Sequence, residues 1–151
     1  MKKIILLLLL AVLVKFAGAQ NLTGRWQADS AKFSEGIENY QFFADGTFCF
    51  NVDEDEGLSR VSKIAGSFEI AGAKLVFVPA YYIELSGGDL GLTGDKPGTA
   101  TWEFDDTKEK KVQLRKAKQQ VAFKYYTKDG AEVLEVDGSK YYKVQNDPGK
   151  L

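Results

Sequence analysis

From Arg25 onward, apolar and polar residues alternate with a period of two, and Gly, Asp, Asn or Pro punctuates the runs roughly every eight to twelve positions. Helical spacing is hard to find. The clearest unit is Tyr40 to Val52, where an Asp45-Gly46 turn joins two strand-like runs, the strongest short-range hairpin signal a sequence offers. In the second run Phe48, Phe50 and Val52 share one face and Thr47, Cys49 and Asn51 the other, which predicts a strand buried on one side only. Ile64, Gly66, Phe68 and Ile70 then alternate with Ala65, Ser67 and Glu69. Ala71-Gly72-Ala73 turns the chain into Lys74 to Val78, a strand that Pro79 ends or bends.

Further strands are predicted at Tyr81 to Leu85, Thr99 to Phe104, Lys111 to Lys116, Gln120 to Thr127, Glu132 to Val136 and Lys140 to Val144. Turns fall at Asp105-Asp106, Asp129-Gly130 and Asp137-Gly138. With Arg25 to Ala28 this makes about nine to eleven short strands with mostly local connections, which favours a meander. The predicted fold is all-β, an antiparallel up-and-down barrel of about 8 to 10 strands. One stretch breaks the rhythm: Ser86 to Gly98 holds five glycines and a proline in thirteen residues and reads as the longest loop. It either tucks Leu90 and Leu92 over the end of the core, the favoured reading, or forms a mobile lid over a cavity mouth.

The N-terminal segment has a different character. Met1-Lys2-Lys3 precedes an apolar run from Ile4 to Val14, and Ala17-Gly18-Ala19 fits a small-residue cleavage site, so residues 1–19 read as a signal peptide cut before Gln20. The run is shorter than the roughly 20 apolar residues of a spanning helix, and no Cys follows the cut to take a lipid. The expected product is one soluble domain, residues 20–151, exported to the periplasm or the exterior, with no membrane insertion after cleavage. Cleavage leaves 17 basic and 21 acidic residues, a net charge of −4. Such a balance gives no footprint for nucleic acid or anionic lipid. The single Cys49 cannot form an intramolecular disulfide and is expected buried or half-buried. Asn21-Leu22-Thr23 fits a glycosylation sequon.

Gly24-Arg25-Trp26, a Gly-x-Trp sequence opening the first strand ahead of a train of hairpins, resembles the lipocalin-like or calycin group of small barrels, and a bacterial lipocalin-like domain is the closer description. The resemblance implies that Trp26 closes one end of the barrel and that Gly24 lets the chain cross beneath it. That group often sets a late Arg against the Trp. Here no Arg follows Arg115, and Lys140 or Lys143 stands in that region.

Candidate chemistry is sparse. The chain has no histidine, which removes the commonest general base, the commonest metal ligand and every Ser/His or Cys/His nucleophile pair. Asp53-Glu54-Asp55-Glu56-Gly57 lacks the alternating ligand spacing of a calcium loop and reads as a solvated turn. Glu84 and Glu103 alternate with apolar neighbours, so both are expected on the outward face rather than paired across a cleft. No enzyme activity, metal or cofactor is expected. The dense aromatic set instead points to binding. A small barrel is either filled by side chains or holds one small ligand, and Tyr40, Tyr81 and Tyr125 are the inward tyrosines expected around a polar group. The preferred reading is a secreted binding protein that holds a small apolar or amphipathic molecule, lined by Tyr40, Trp102, Phe123 and Tyr125 and gated by Ser86 to Gly98. The alternative is a filled barrel serving as a protein-interaction or structural module of the cell envelope, its protein partner unspecified.

Overall fold

A computed structural model describes residues 22–29, 32–53, 58–94, 100–146, 148–149 and 151. The expected signal peptide and its cleavage site, Asn21 of the sequon, residues 54–57 of the acidic run and residues 95–98 of the expected loop lie outside the described residues.

The alternating pattern becomes eleven strands among the described residues: β1 (Gly24–Ala28), β2 (Asn39–Phe42), β3 (Thr47–Asn51), β4 (Val61–Ala71), β5 (Lys74–Ser86), β6 (Asp89–Thr93), β7 (Thr101–Asp105), β8 (Lys108–Gln113), β9 (Gln119–Lys128), β10 (Ala131–Val136) and β11 (Ser139–Gln145). All the pairings are antiparallel. Eight strands pair in the order β4-β3-β2-β1-β11-β10-β9-β5, and β5 pairs back onto β4, so the hydrogen bonds run round a closed ring. Closure removes the free edges that an open sheet of this size would leave. Strand β8 lies against β5 outside the ring, and among the described residues β6 and β7 pair only with each other.

Local turn chemistry sets the registers of three hairpins. Asp129-Gly130 and Asp137-Gly138 take positive φ at both residues (51° and 80°; 49° and 90°), the mirror-image turn whose twist suits a two-residue hairpin. At the β2–β3 connection the Gly46 N–H donates to the Phe43 carbonyl at 3.1 Å, and Asp45 Oδ1 accepts from the Thr47 N–H at 2.9 Å and its hydroxyl at 2.6 Å.

Strand β5 corrects the sequence reading, which divides it at Pro79. It runs unbroken, but its outer edge changes partner: Lys74 to Phe77 pair with β9, whereas Tyr81 to Ser86 pair with β8. Pro79, which has no N–H to give, falls in the gap between the two ladders. A bulge accompanies the change, with Gly66 opposite Pro79 but Ala65 opposite Tyr81, so Ala80 is the extra residue. One extra residue exchanges the two faces of everything beyond it. Tyr81, expected inward, therefore shares the outward row with Ala65 and Cys49, and Lys111 Nζ lies 3.7 Å from its ring centroid.

The ring interior is packed by Trp26, Phe42, Phe48, Phe68, Leu75, Phe77, Leu134, Val136 and Tyr141, with Leu22 joining at one end. Tyr40, Phe50, Ile70, Val121 and Phe123 pack against this cluster. Cys49 is buried on the opposite face of β3, within the range its sequence context predicts.

Candidate functional site

The four expected lining residues do not converge. Tyr40 sits within the aromatic core, its ring centroid 4.6 Å from Phe50, 4.9 Å from Tyr141, 5.6 Å from Phe42 and 5.8 Å from Phe77. Phe123 packs against the same core. Tyr125 lies at the Trp26 end of the ring, 43% exposed, with its ring edge-on to Trp26 at 5.8 Å. Trp102 is not an inward residue: it stands on β7, outside the ring and 55% exposed. The expectation fails there because alternation shows which residues share a face but not whether another layer covers that face.

At the Trp26 end, each polar group has an internal partner. Trp26 is fully buried and its Nε1 donates to the Leu22 carbonyl at 2.7 Å. Lys143 Nζ lies 5.4 Å from the Trp26 ring centroid and 3.3 Å from Glu132 Oε2. Tyr125 donates its hydroxyl to Glu132; that bond, ahead of the Lys143 charge, draws the Glu132 carboxyl below its ordinary range and raises the Tyr125 phenol. Gly24 enters beside this cluster at φ +138°, and a Cβ there would meet the Gln145 carbonyl oxygen at 2.5 Å and Lys143 Cε at 2.8 Å. The group is a plug closed on itself.

Across the core, Tyr141 donates its hydroxyl to Glu38 Oε1 at 2.5 Å. Burial, then the nearby Glu38 and Asp137 charges, pushes the Tyr40 phenol up to about 12. Burial, then the Glu38 hydrogen bond, raises that of Tyr141 further. Since the unfolded chain releases both protons near pH 10.0 and the folded chain holds them, stability is present in full below that pH and falls as pH rises through 12. Urea titrations at successive alkaline pH values should show this decline, and Tyr40→Phe with Tyr141→Phe should flatten it; equal slopes in variant and parent would refute the assignment.

Two features of the outer surface are less self-contained. The first is a groove of about 460 Å³ on the wall of β1 to β4, bounded by Arg25, Phe33, Ser34, Glu35, Ile37, Asn39, Gln41, Asn51, Lys63 and Glu109 among others. The outward alternation of β1 to β3 signals it, since Arg25, Gln27, Asn39, Gln41 and Asn51 form an amide-rich set rather than the Lys/Glu mixture of an ordinary solvated face. The sequence reading follows the inward aromatics and passes over this row.

The second feature is the β6–β7 hairpin, which corrects the expectation of an unpatterned loop from Ser86 to Gly98. Leu90 pairs with Phe104 and Leu92 with Trp102, so the four share one face. Leu90 and Leu92 are 51% and 59% exposed rather than tucked over the core. Phe104 alone is covered, by the Arg60 guanidinium 3.4 Å from its ring centroid. Arg60 also donates to the carbonyls of Leu85 at 3.3 Å and Gly87 at 2.5 Å, tying the hairpin to β5. The Leu-x-Leu and Trp-x-Phe spacings carry the signal, masked by the glycines around them. Among the described residues no cluster of Cys, Asp and Glu is arranged to hold a metal ion.

No family model, curated protein or solved structure matches the chain.

Proposed function

We propose that this is an exported, non-enzymatic lipocalin-like barrel, filled by its own side chains, that works through its outer surface as a protein-interaction module. The observation carrying this reading is the face of Leu90, Leu92 and Trp102, each more than half exposed on a hairpin that, among the described residues, pairs with no other strand. The rings packed around Tyr40 support a filled interior, and the Trp26 plug with Lys143 above it supports the lipocalin-like kinship.

Charge selects the partner. Strands β6 and β7 carry Asp89, Glu103 and Asp105 and no Lys or Arg, so an anionic lipid surface is disfavoured. A protein surface with an apolar patch flanked by basic residues fits. The test places a photo-crosslinking amino acid at Trp102 in the full chain expressed in its own cell, with a control at the exposed Lys128 that ends β9. Native mass spectrometry is run on the purified product. The expected result is one adduct from position 102, none from 128, and a mass equal to the polypeptide alone. A co-purifying small molecule released on mild denaturation, or equal adducts from both positions, would overturn the reading.

A further inference from the structure

We infer that the outer groove on β1 to β4 is a binding site for a small polar molecule bearing one carboxylate, of the acidic-sugar type. This is independent of the hairpin reading, since the groove is formed by other residues. Its roof is built into the fold. Gln27, 1% exposed, donates from Nε2 to the Lys32 carbonyl at 3.2 Å and accepts at Oε1 from the Ser34 N–H at 2.9 Å. Asn39 Nδ2 donates to the Ile37 carbonyl at 2.8 Å. A buried amide with both ends satisfied fixes its partners in place, and here it holds the segment from Lys32 to Ile37 over the strand wall, leaving the groove between.

The floor is a hydrogen-bonded row of amides that fixes Arg25 at its end. Asn51 Nδ2 donates to Asn39 Oδ1 at 2.9 Å. With its amide oxygen toward Arg25, Gln41 accepts from Arg25 Nη2 at 2.9 Å and Nε at 3.2 Å, and from Asn51 Nδ2 at 3.1 Å. Arg25 has five N–H groups, so this contact orients the guanidinium while leaving donors unused. Cross-strand register sets Arg25 in line with Gln41 and Cys49, and Asn39 in line with Asn51 and Lys63. The two cations therefore stand three strands apart across the sheet and two residues apart along it, about 16 Å at the backbone, with the amides between them.

Charge makes the row selective. Arg25 and Lys63 are each half-buried, and among the described residues the ion pairs are Lys110–Glu84, Lys118–Glu69, Lys124–Glu135 and Lys143–Glu132, none of which uses either cation. Both line the groove, and each opposes the burial that raises the Cys49 thiol. A carboxylate entering between them would replace lost hydration with charge-assisted hydrogen bonds, the strong class. Glu35 and Glu109 border the same space and would repel a polyanion, which narrows the fit to a single negative charge. Phe33, half-exposed and 5.4 Å from the Arg25 guanidinium carbon, offers a flat apolar face for the body of such a molecule.

The test titrates isotope-labelled protein with D-galacturonate and, separately, with D-galactose, following the side-chain amide resonances of Asn39, Gln41 and Asn51 and the Arg25 Nε–H. Saturable shifts are expected with galacturonate and not with galactose. Affinity should fall about tenfold or more in Arg25→Gln and in Lys63→Met. Lys63 takes no part in the hydrogen bonds of the floor, so Lys63→Met carries the test if Arg25→Gln fails to fold. Equal shifts with the neutral sugar, no saturable shift with galacturonate, or undiminished affinity in a folded Lys63→Met protein would overturn the inference.

Discussion

Gly66→Val should destabilise the fold by about 3 kcal/mol or more, among the largest effects available to one small side chain here. A Cβ at this position would lie 2.2 Å from the Val78 carbonyl oxygen, 2.8 Å from Pro79 Cα and 2.9 Å from Ala80 N. All three are backbone atoms and cannot rotate aside. Strand β5 would have to retreat from β4, and that pair is the one that closes the ring. Gly72, in the tight turn joining the same strands, has open space for 4 Å around the place a Cβ would take and needs only its φ of +63°. Asparagine tolerates that conformation, so Gly72→Asn should cost less than about 1 kcal/mol. Urea unfolding of the two variants gives the comparison. A Gly66→Val protein as stable as its parent would mean that the bulge and the strand register around it are wrong.

Trp26→Ala is expected to cost about 3 to 5 kcal/mol, a large share of the roughly 5 to 15 kcal/mol that holds a domain of this size together. The side chain is completely buried, so its removal leaves a cavity at the end of the core. It also strands the Leu22 carbonyl that Nε1 now satisfies and takes away the ring beneath Lys143. Trp26→Phe keeps most of the apolar volume but still loses the donor, and should cost about 1 to 2 kcal/mol. Unfolding midpoints for the pair separate volume from hydrogen bonding. A Trp26→Ala cost below about 1 kcal/mol would contradict the role of this residue as the plug.

The architecture was legible because its signals are local. Asp-Gly pairs at 45–46, 129–130 and 137–138 mark three hairpins, and period-two alternation assigns Phe48, Phe50 and Phe68 to one side of their strands. Tyr81 was not legible, because a single extra residue at Ala80 reverses the faces and leaves no trace in hydropathy. Trp102 and the two leucines were misread for a related reason: among the described residues the hairpin that bears them pairs with no other strand, and pairing between distant segments is decided by the whole fold. The groove stayed hidden because its roof depends on a tertiary bond from Gln27 to the β1–β2 connection, so the amide-rich row of its floor does not by itself show that a segment covers it.

The change of partner along β5 divides one strand between two cooperative units. Near Leu75 both edges of β5 are held by ring strands, β4 and β9, and those amides exchange with solvent only when much of the barrel opens, whereas near Ile83 the edge turned away from β4 is held by β8, outside the ring. Opening of that second unit leaves the eight-stranded closure intact, so the part of the molecule that carries the exposed apolar face can loosen and reshape without drawing on the stability of the whole.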